Sequence, residues 1–199
     1  MKVIQLQQHC EKYSCRSYLV LGNWNALDDV NTLIDPGIDA TVISQIEKVY
    51  TGVGKSPVDL IILTHNHFDH AGGAAEAKKF FKAKMMAFSP GEGVDHVFKD
   101  GDKIRLGDSI FEVIHLPSHS DDSVCFYASR EQVIFTGDNT LRVRNSEGSY
   151  TPGYLEFLRR MARSGVKVAY GGHDLPIEEG LEAVIIESIA HVEKALGVV

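Results

Sequence analysis

Cysteine is scarce in this chain: three in 199 residues, Cys10, Cys15 and Cys125. An odd number leaves at least one thiol unpaired, and all three fall in strand-like surroundings. This argues against a disulfide framework and for a reducing, cytoplasmic compartment. Cys10 and Cys15 have no second cysteine pair with which to complete a structural zinc ribbon, so no chemistry is assigned to them. Long apolar runs are missing too. None approaches the length of a membrane span, and Met1-Lys2-Val3-Ile4-Gln5-Leu6-Gln7-Gln8 alternates like a strand, without the apolar block of a signal peptide. Neither a membrane partner nor export is expected. Basic tracks are lacking as well. The net charge is −7 with histidines neutral, and no lysines or arginines interleave with aromatics, which excludes nucleic acid as the natural partner. Lys78, Lys79, Lys82 and Lys84 read as the solvated face of a helix and its exit. With no linker or internal repeat, residues 1–199 read as one domain, long enough to bury a core without staples. Nothing in the sequence specifies an oligomeric state.

What is present is a dense cluster of histidine and aspartate. Thr64-His65-Asn66-His67-Phe68-Asp69-His70-Ala71-Gly72-Gly73 packs three imidazoles and a carboxylate into six positions, directly after the apolar run Leu60-Ile61-Ile62-Leu63. Imidazole nitrogen and carboxylate oxygen are the ligands that a borderline cation such as zinc prefers, and crowding four of them without a cation is costly. Any one of these histidines alone would read as a satisfied or solvent-facing residue; four donors together read as a metal site. Ligands alternating along so short a loop do not all converge on one tetrahedral centre. His65 and His67 therefore suit one ion, and Asp69 and His70 a second.

Each ion then needs donors from elsewhere, and three isolated residues at the ends of strand-like segments qualify. His119 lies in the turn Pro117-Ser118-His119-Ser120, after the alternating Phe111 to Leu116. Asp138 follows the buried run Val133 to Thr136 and a glycine that permits close approach to an ion. His173 follows Val166 to Tyr170 and two glycines. His115 reads at best as a support for these ligands; His9, His96 and His191 read as surface or packing residues. Ser118, Ser120, Asp121 and Asp122 read as turn formers. Trp24, Tyr150 and Tyr154 read as core, with Trp24 the one placed to line the mouth of a site.

The signature His65-x-His67-x-Asp69-His70, followed in order by His119, Asp138 and His173, resembles the metallo-β-lactamase superfamily across nearly the whole chain. Asp35, in Leu33-Ile34-Asp35-Pro36-Gly37, resembles the aspartate that supports the histidine loop in that family. The resemblance implies that His65, His67 and His119 hold one divalent metal ion and Asp69, His70 and His173 a second, with Asp138 between them. The ions it implies are zinc, with iron or manganese compatible with the same donors. Such a pair activates a bridging hydroxide and polarises a carbonyl or phosphoryl oxygen, and Asp69 orients the nucleophile or shuttles its proton, which makes it the catalytic residue. The Asp69-His70 pair and Asp138 resemble glyoxalase II and lactonase members more than exported β-lactamases. Only one substantial helix follows His173, which leaves no room for the glutathione-holding domain of glyoxalase II. The expected substrate is a small-molecule acyl ester, thioester or lactone. The alternatives are an iron-dependent oxidoreductase of the persulfide dioxygenase type and a non-catalytic metal-binding module.

Periodicity by itself gives mixed α and β. An antiparallel meander opens the chain, and Ile38, Val42, Ile46 and Val49 predict a helix from Asp39 towards Gly52. Leu60 to Leu63 reads as a fully buried strand, and Ala74 to Phe81 as a helix. Short strands then recur at 85–88, 103–106, 110–116, 124–128 and 133–136. A helix follows through Tyr154, Leu158 and Met161, then a strand at 166–170, and a closing helix from Ile177 to Val192. The four-layer αββα sandwich is what the resemblance adds. Specificity is expected in the loops Trp24 to Val30 and Leu141 to Tyr150.

Overall fold

Three short runs with no polar alternation, Tyr18–Leu21 (β2), Thr32–Ile34 (β3) and Leu60–Ile62 (β4), are buried on both faces, as strands in the middle of a covered sheet must be. The computed structural model describes residues 1–7 and 12–198, in two compact units, Met1–Val113 and Ile114–Val199. In the first unit, Lys2–Gln5 (β1) pairs antiparallel with β2, and β2 antiparallel with β3. From β3 the pairing turns parallel, through β4 to Lys84–Ala87 (β5) and His96–Val97 (β6), giving the order β1-β2-β3-β4-β5-β6.

Parallel neighbours need crossover connections. Val42–Ile46 (α1) serves between β3 and β4; Phe68–Ala71 (α2) and Ala74–Phe81 (α3) serve between β4 and β5. The carboxyl ends of β3 and β4 therefore lie at the same edge, and Asp35 and Thr64 emerge side by side. Leu19, Leu33, Val42, Ile46, Ile61, Ala77 and Met85 form the core beneath these helices. Lys103–Leu106 (β7) and Ser109–His115 (β8) complete the unit as a hairpin turning at Gly107, whose φ of +58° suits a residue without Cβ. The divide between the units falls within β8.

In the second unit the end of β8 passes to Val124–Ala128 (β9), with the Leu116 N–H donating to the Ser123 carbonyl at 2.9 Å. β9 pairs antiparallel with Val133–Gly137 (β10), and β10 pairs parallel with Val168–Gly171 (β11). The crossover is Pro152–Ser164 (α4). Its boundaries follow from sequence chemistry: Thr151 caps the first turn by accepting the Tyr154 N–H, Pro152 occupies the first position, and Gly165 ends the helix in the left-handed region. Leu181–Leu196 (α5) closes the chain. Ile134, Leu155, Leu158, Met161, Ile185 and Val192 pack as the core of this unit.

Two elements are shorter than their periodicity suggests. The helix expected from Asp39 to Gly52 is α-helical only over Val42–Ile46. Beyond it the Lys48 and Val49 N–H groups bond three residues back, to Gln45 and Ile46, so the apolar stripe continues as tighter turns. Ile177 is not in the closing helix; it forms an antiparallel bridge with Ala169, and α5 starts after Pro176 and Gly180, whose φ is +68°. The bridge extends the β11 edge. Strand β6 has no counterpart in the periodicity. Among the described residues no helix is long and apolar enough to cross a membrane.

Candidate metal centre

In the first unit a group of candidate donors stands at the β4 end. Asp35, buried and at φ +49°, receives the Thr64 N–H on Oδ1 at 2.8 Å and the Thr64 hydroxyl on Oδ2 at 2.7 Å. Its Oδ2 also lies 2.8 Å from His70 Nδ1. A carboxylate can only accept, so Nδ1 carries the proton and His70 is left with Nε2 as its donor atom, 3.7 Å from Asp69 Oδ2. His65 turns Nδ1 to the Thr64 hydroxyl and Nε2 towards His67 Nδ1, at 3.1 Å each. The His65 and His70 rings lie 4.1 Å apart. The expected loop is partly helical, since Asp69 and His70 occupy the short helix α2. Glycine lets that helix approach the chain after β3. A Cβ on Gly72 would run into the Ile38 carbonyl oxygen, and one on Gly73 into that of Asp39. In the space so kept, Gly37 N–H bonds the His70 carbonyl and Gly73 N–H the Gly37 carbonyl.

In the second unit another group of candidate donors stands at the ends of β10 and β11. Asp138 Oδ2 lies 3.4 Å from His119 Nε2 and 3.4 Å from His173 Nε2. Gly137, at φ +52°, turns the chain there, and its carbonyl accepts the Gly172 N–H at 2.7 Å. Asn139, which sequence reading passed over, ties the two loops together. Its Nδ2 donates to the Leu116 carbonyl at 3.1 Å, and its Oδ1 receives the Ser118 hydroxyl at 2.5 Å, so the turn carrying His119 is braced against Asp138. Two clefts, each of about 180 Å³, open on either side of the His119–Asp138 pair. One is walled by Leu141, Ala169, Leu175 and Ile177, and the other by hydroxyls of Ser118, Ser149, Tyr150 and Thr151.

These donors fit metal ions better than they fit each other. A charge-assisted imidazolium–carboxylate bond is about 2.7–2.9 Å, shorter than the 3.4 Å seen at Asp138. Two nitrogens each about 2.0–2.1 Å from one zinc ion stand a little over 3 Å apart, the separation of the His65 and His67 nitrogens. Cys15 also neighbours Asp35 and His70, but burial pushes its thiol up to about 11. Burial likewise pushes Cys125 up to about 12. Both thiols therefore stay protonated near neutrality in the metal-free protein.

The remaining residues sort as follows. His115 Nε2 meets the Asp121 carbonyl at 2.8 Å, and Ser120 bonds Asp122 and Ser123, as turn residues do. Tyr154 is buried, and its hydroxyl donates to the Thr140 carbonyl. Trp24 is neither core nor at the mouth. It is 90% exposed and follows the carboxyl end of β2, which the antiparallel pairing places beside the amino end of β3, away from the ligand loop. Its loop is held there by Lys55, which donates to the Ala26 and Asp29 carbonyls, and by the Val30–Gly107 bridge. His9 and Cys10 lie outside the described residues.

Histidine and aspartate donors at the strand ends of mixed sheets define an α/β fold equipped for a metal centre. The metallo-beta-lactamase superfamily model matches residues 12–87 and 78–173, and the chain belongs to that superfamily. A probable hydroxyacylglutathione hydrolase of Schizosaccharomyces pombe is 37% identical over 109 residues, 53% of this chain and 42% of that protein. An atrochrysone carboxyl ACP thioesterase of Aspergillus fumigatus is 28% identical over 190 residues, 85% of this chain and 44% of that protein. The chain thus spans less than half the length of these relatives. A metallo-beta-lactamase family protein of Thermus thermophilus superposes with a TM-score of 0.71 at 20% identity, covering 98% of this chain and 81% of that one. The fold is the αββα class that the signature implied.

Proposed function

We propose that the chain is a metal-dependent hydrolase that cleaves a small acyl ester, thioester or lactone at a dinuclear zinc centre. The observation that carries this reading is the single Asp138 oxygen with an imidazole nitrogen on either side, a donor placed to be shared. In this reading His65, His67 and His119 hold one ion, Asp69, His70 and His173 the other, and Asp138 serves both. The order of these residues along the chain and the half-set gathered within each unit support the assignment. Two divalent ions held by these residues would supply an activated water near neutral pH and polarisation of the acyl oxygen.

The protein's own groups do the rest. Asp35 holds the His70 tautomer by accepting from Nδ1. Asp69, through a carboxylate oxygen turned to the attacking water, orients it and passes its proton to the leaving group. Asn139 and Ser118 keep His119 in line with Asp138. Residues 1–199 act as one domain on a small molecule. The buried, unpaired thiols of Cys15 and Cys125 support a cytoplasmic setting.

Elemental mass spectrometry of protein purified without added metal tests the proposal, with His65→Ala and Asp138→Ala alongside. About two zinc ions per chain are expected. Both variants should hold less, and hydrolysis should fall by at least about 100-fold, the upper end of what even outer-shell changes cost. Undiminished turnover in His65→Ala would overturn the reading. Iron, with oxygen uptake on a persulfide, would assign dioxygenase chemistry instead, and bound metal without turnover of any ester, thioester or lactone would leave a binding module.

A further inference from the structure

From the cleft beside Asp138 and His173 we infer that the acyl group this enzyme takes is a short, unsubstituted aliphatic chain; the inference rests on the hydrolase reading above. The cleft runs from those two side chains between Leu141, Ala169, Leu175 and Ile177. Its walls are preset by the fold. The Leu141 carbonyl and the Val143 N–H are both held by the buried Ser188 hydroxyl of α5, at 2.9 and 2.8 Å. Ala169 and Ile177 exchange both backbone hydrogen bonds, at 3.0 and 2.9 Å. Leu175 is 71% exposed two residues after His173, so it contributes little to the core and stands at the lip of the slot.

Chemistry and size narrow the occupant. On the other side of the His119–Asp138 pair the cleft carries Ser118, Ser149 and Thr151 beside the Tyr150 and Tyr154 rings, so the side walled by Leu141 and Ile177 is the more apolar of the two and the better seat for an aliphatic chain. A volume of about 180 Å³ is below the roughly 300–1,000 Å³ of pockets that enclose drug-sized ligands, which limits the occupant to a short chain. Hydrolysis breaks the acyl–sulfur or acyl–oxygen bond; water supplies OH to the acyl carbon and its other proton to the leaving thiol or alcohol.

A chain-length series of acyl thioesters of N-acetylcysteamine, acetyl to decanoyl, on zinc-loaded protein reads this out. kcat/KM should rise about fourfold per methylene, from about 0.8 kcal/mol per buried CH₂, and stop rising once the slot is filled. Ile177→Ala should move the maximum to longer chains, and Leu175→Asp should flatten the slope. Ile186→Ala, on the exposed face of α5, should leave the profile as it is. A flat profile in the wild type, or a preference for lactoyl over butyryl, would overturn the inference. If no thioester, ester or lactone is turned over, the hydrolase reading fails on its own account, and calorimetric binding of the carboxylates from acetate to octanoate decides the slot. The same slope supports it and its absence overturns it.

Discussion

Asp35 shows how one carboxylate can organise the loop that carries the candidate ligands. Its two oxygens take three donors, from the Thr64 backbone, the Thr64 hydroxyl and His70 Nδ1, while its own backbone sits in the left-handed region at φ +49°. Aspartate tolerates that conformation better than most residues, and the three bonds offset its cost. Asp35→Asn keeps the shape but presents an N–H₂ towards groups that were donating. Zinc affinity, measured by competition with a chromophoric chelator, should fall about 10–100-fold, and the metal-free protein should lose about 1–3 kcal/mol in urea. Unchanged affinity would show that His70 is oriented by other means. Asp35 was legible through the resemblance of Leu33-Ile34-Asp35-Pro36-Gly37 to the superfamily's early aspartate. Asn139 was not, because its role depends on Leu116 and Ser118, more than twenty residues earlier in the chain, being brought beside it.

Among the elements, the segment after β10 is the one whose order the sequence least announces. Residues 138–151 carry no regular structure, yet they wall both clefts and are tied to helices on either side. Ser188, in the middle of α5, accepts from Val143 N–H and donates to Leu141 or to its own helix. Tyr154 of α4 donates to the Thr140 carbonyl. Ser188→Ala leaves a buried N–H without its acceptor, for a loss of about 1–2 kcal/mol. Trypsin should then cut faster after the exposed Arg142 and Arg144, and an unchanged cleavage rate would show that the segment is held without Ser188. Sequence periodicity located α4 and α5 well, through caps and stripes that are local. It overran α1 and misassigned Ile177, since an apolar residue every third or fourth position does not distinguish a helix from tight turns or from a bridge across Pro176.

At the scale of the molecule, the histidine loop and the single tryptophan belong to opposite ends of the first sheet. β3 runs parallel to β4, so their carboxyl ends share an edge with Asp35, Thr64 and the histidine loop, whereas the loop after β2 falls at the other edge. Trp24 fluorescence should therefore be quenched by acrylamide almost as readily in the folded protein as in urea, and zinc or a bound carboxylate should leave it unchanged. A marked zinc-dependent change would place Trp24 at the site after all. The net charge of −7 does not favour long-range attraction of a polyanion.

The sequence by itself determined the family and proposed the donor atoms. The metal chemistry of histidine and aspartate is intrinsic to the side chains, and their spacing within one loop is a property of the chain alone. Composition likewise sufficed to argue against a disulfide framework and a basic track. Tertiary structure alone decided what those donors meet: the pairing of Asp138 with both His119 and His173, the brace through Asn139, the slot held by Ser188, and the exile of Trp24 to the far edge. Each of these depends on strand direction and on hydrogen bonds between residues far apart in sequence. No local pattern encodes such contacts, because the partners are chosen by which buried polar groups the folded chain must satisfy.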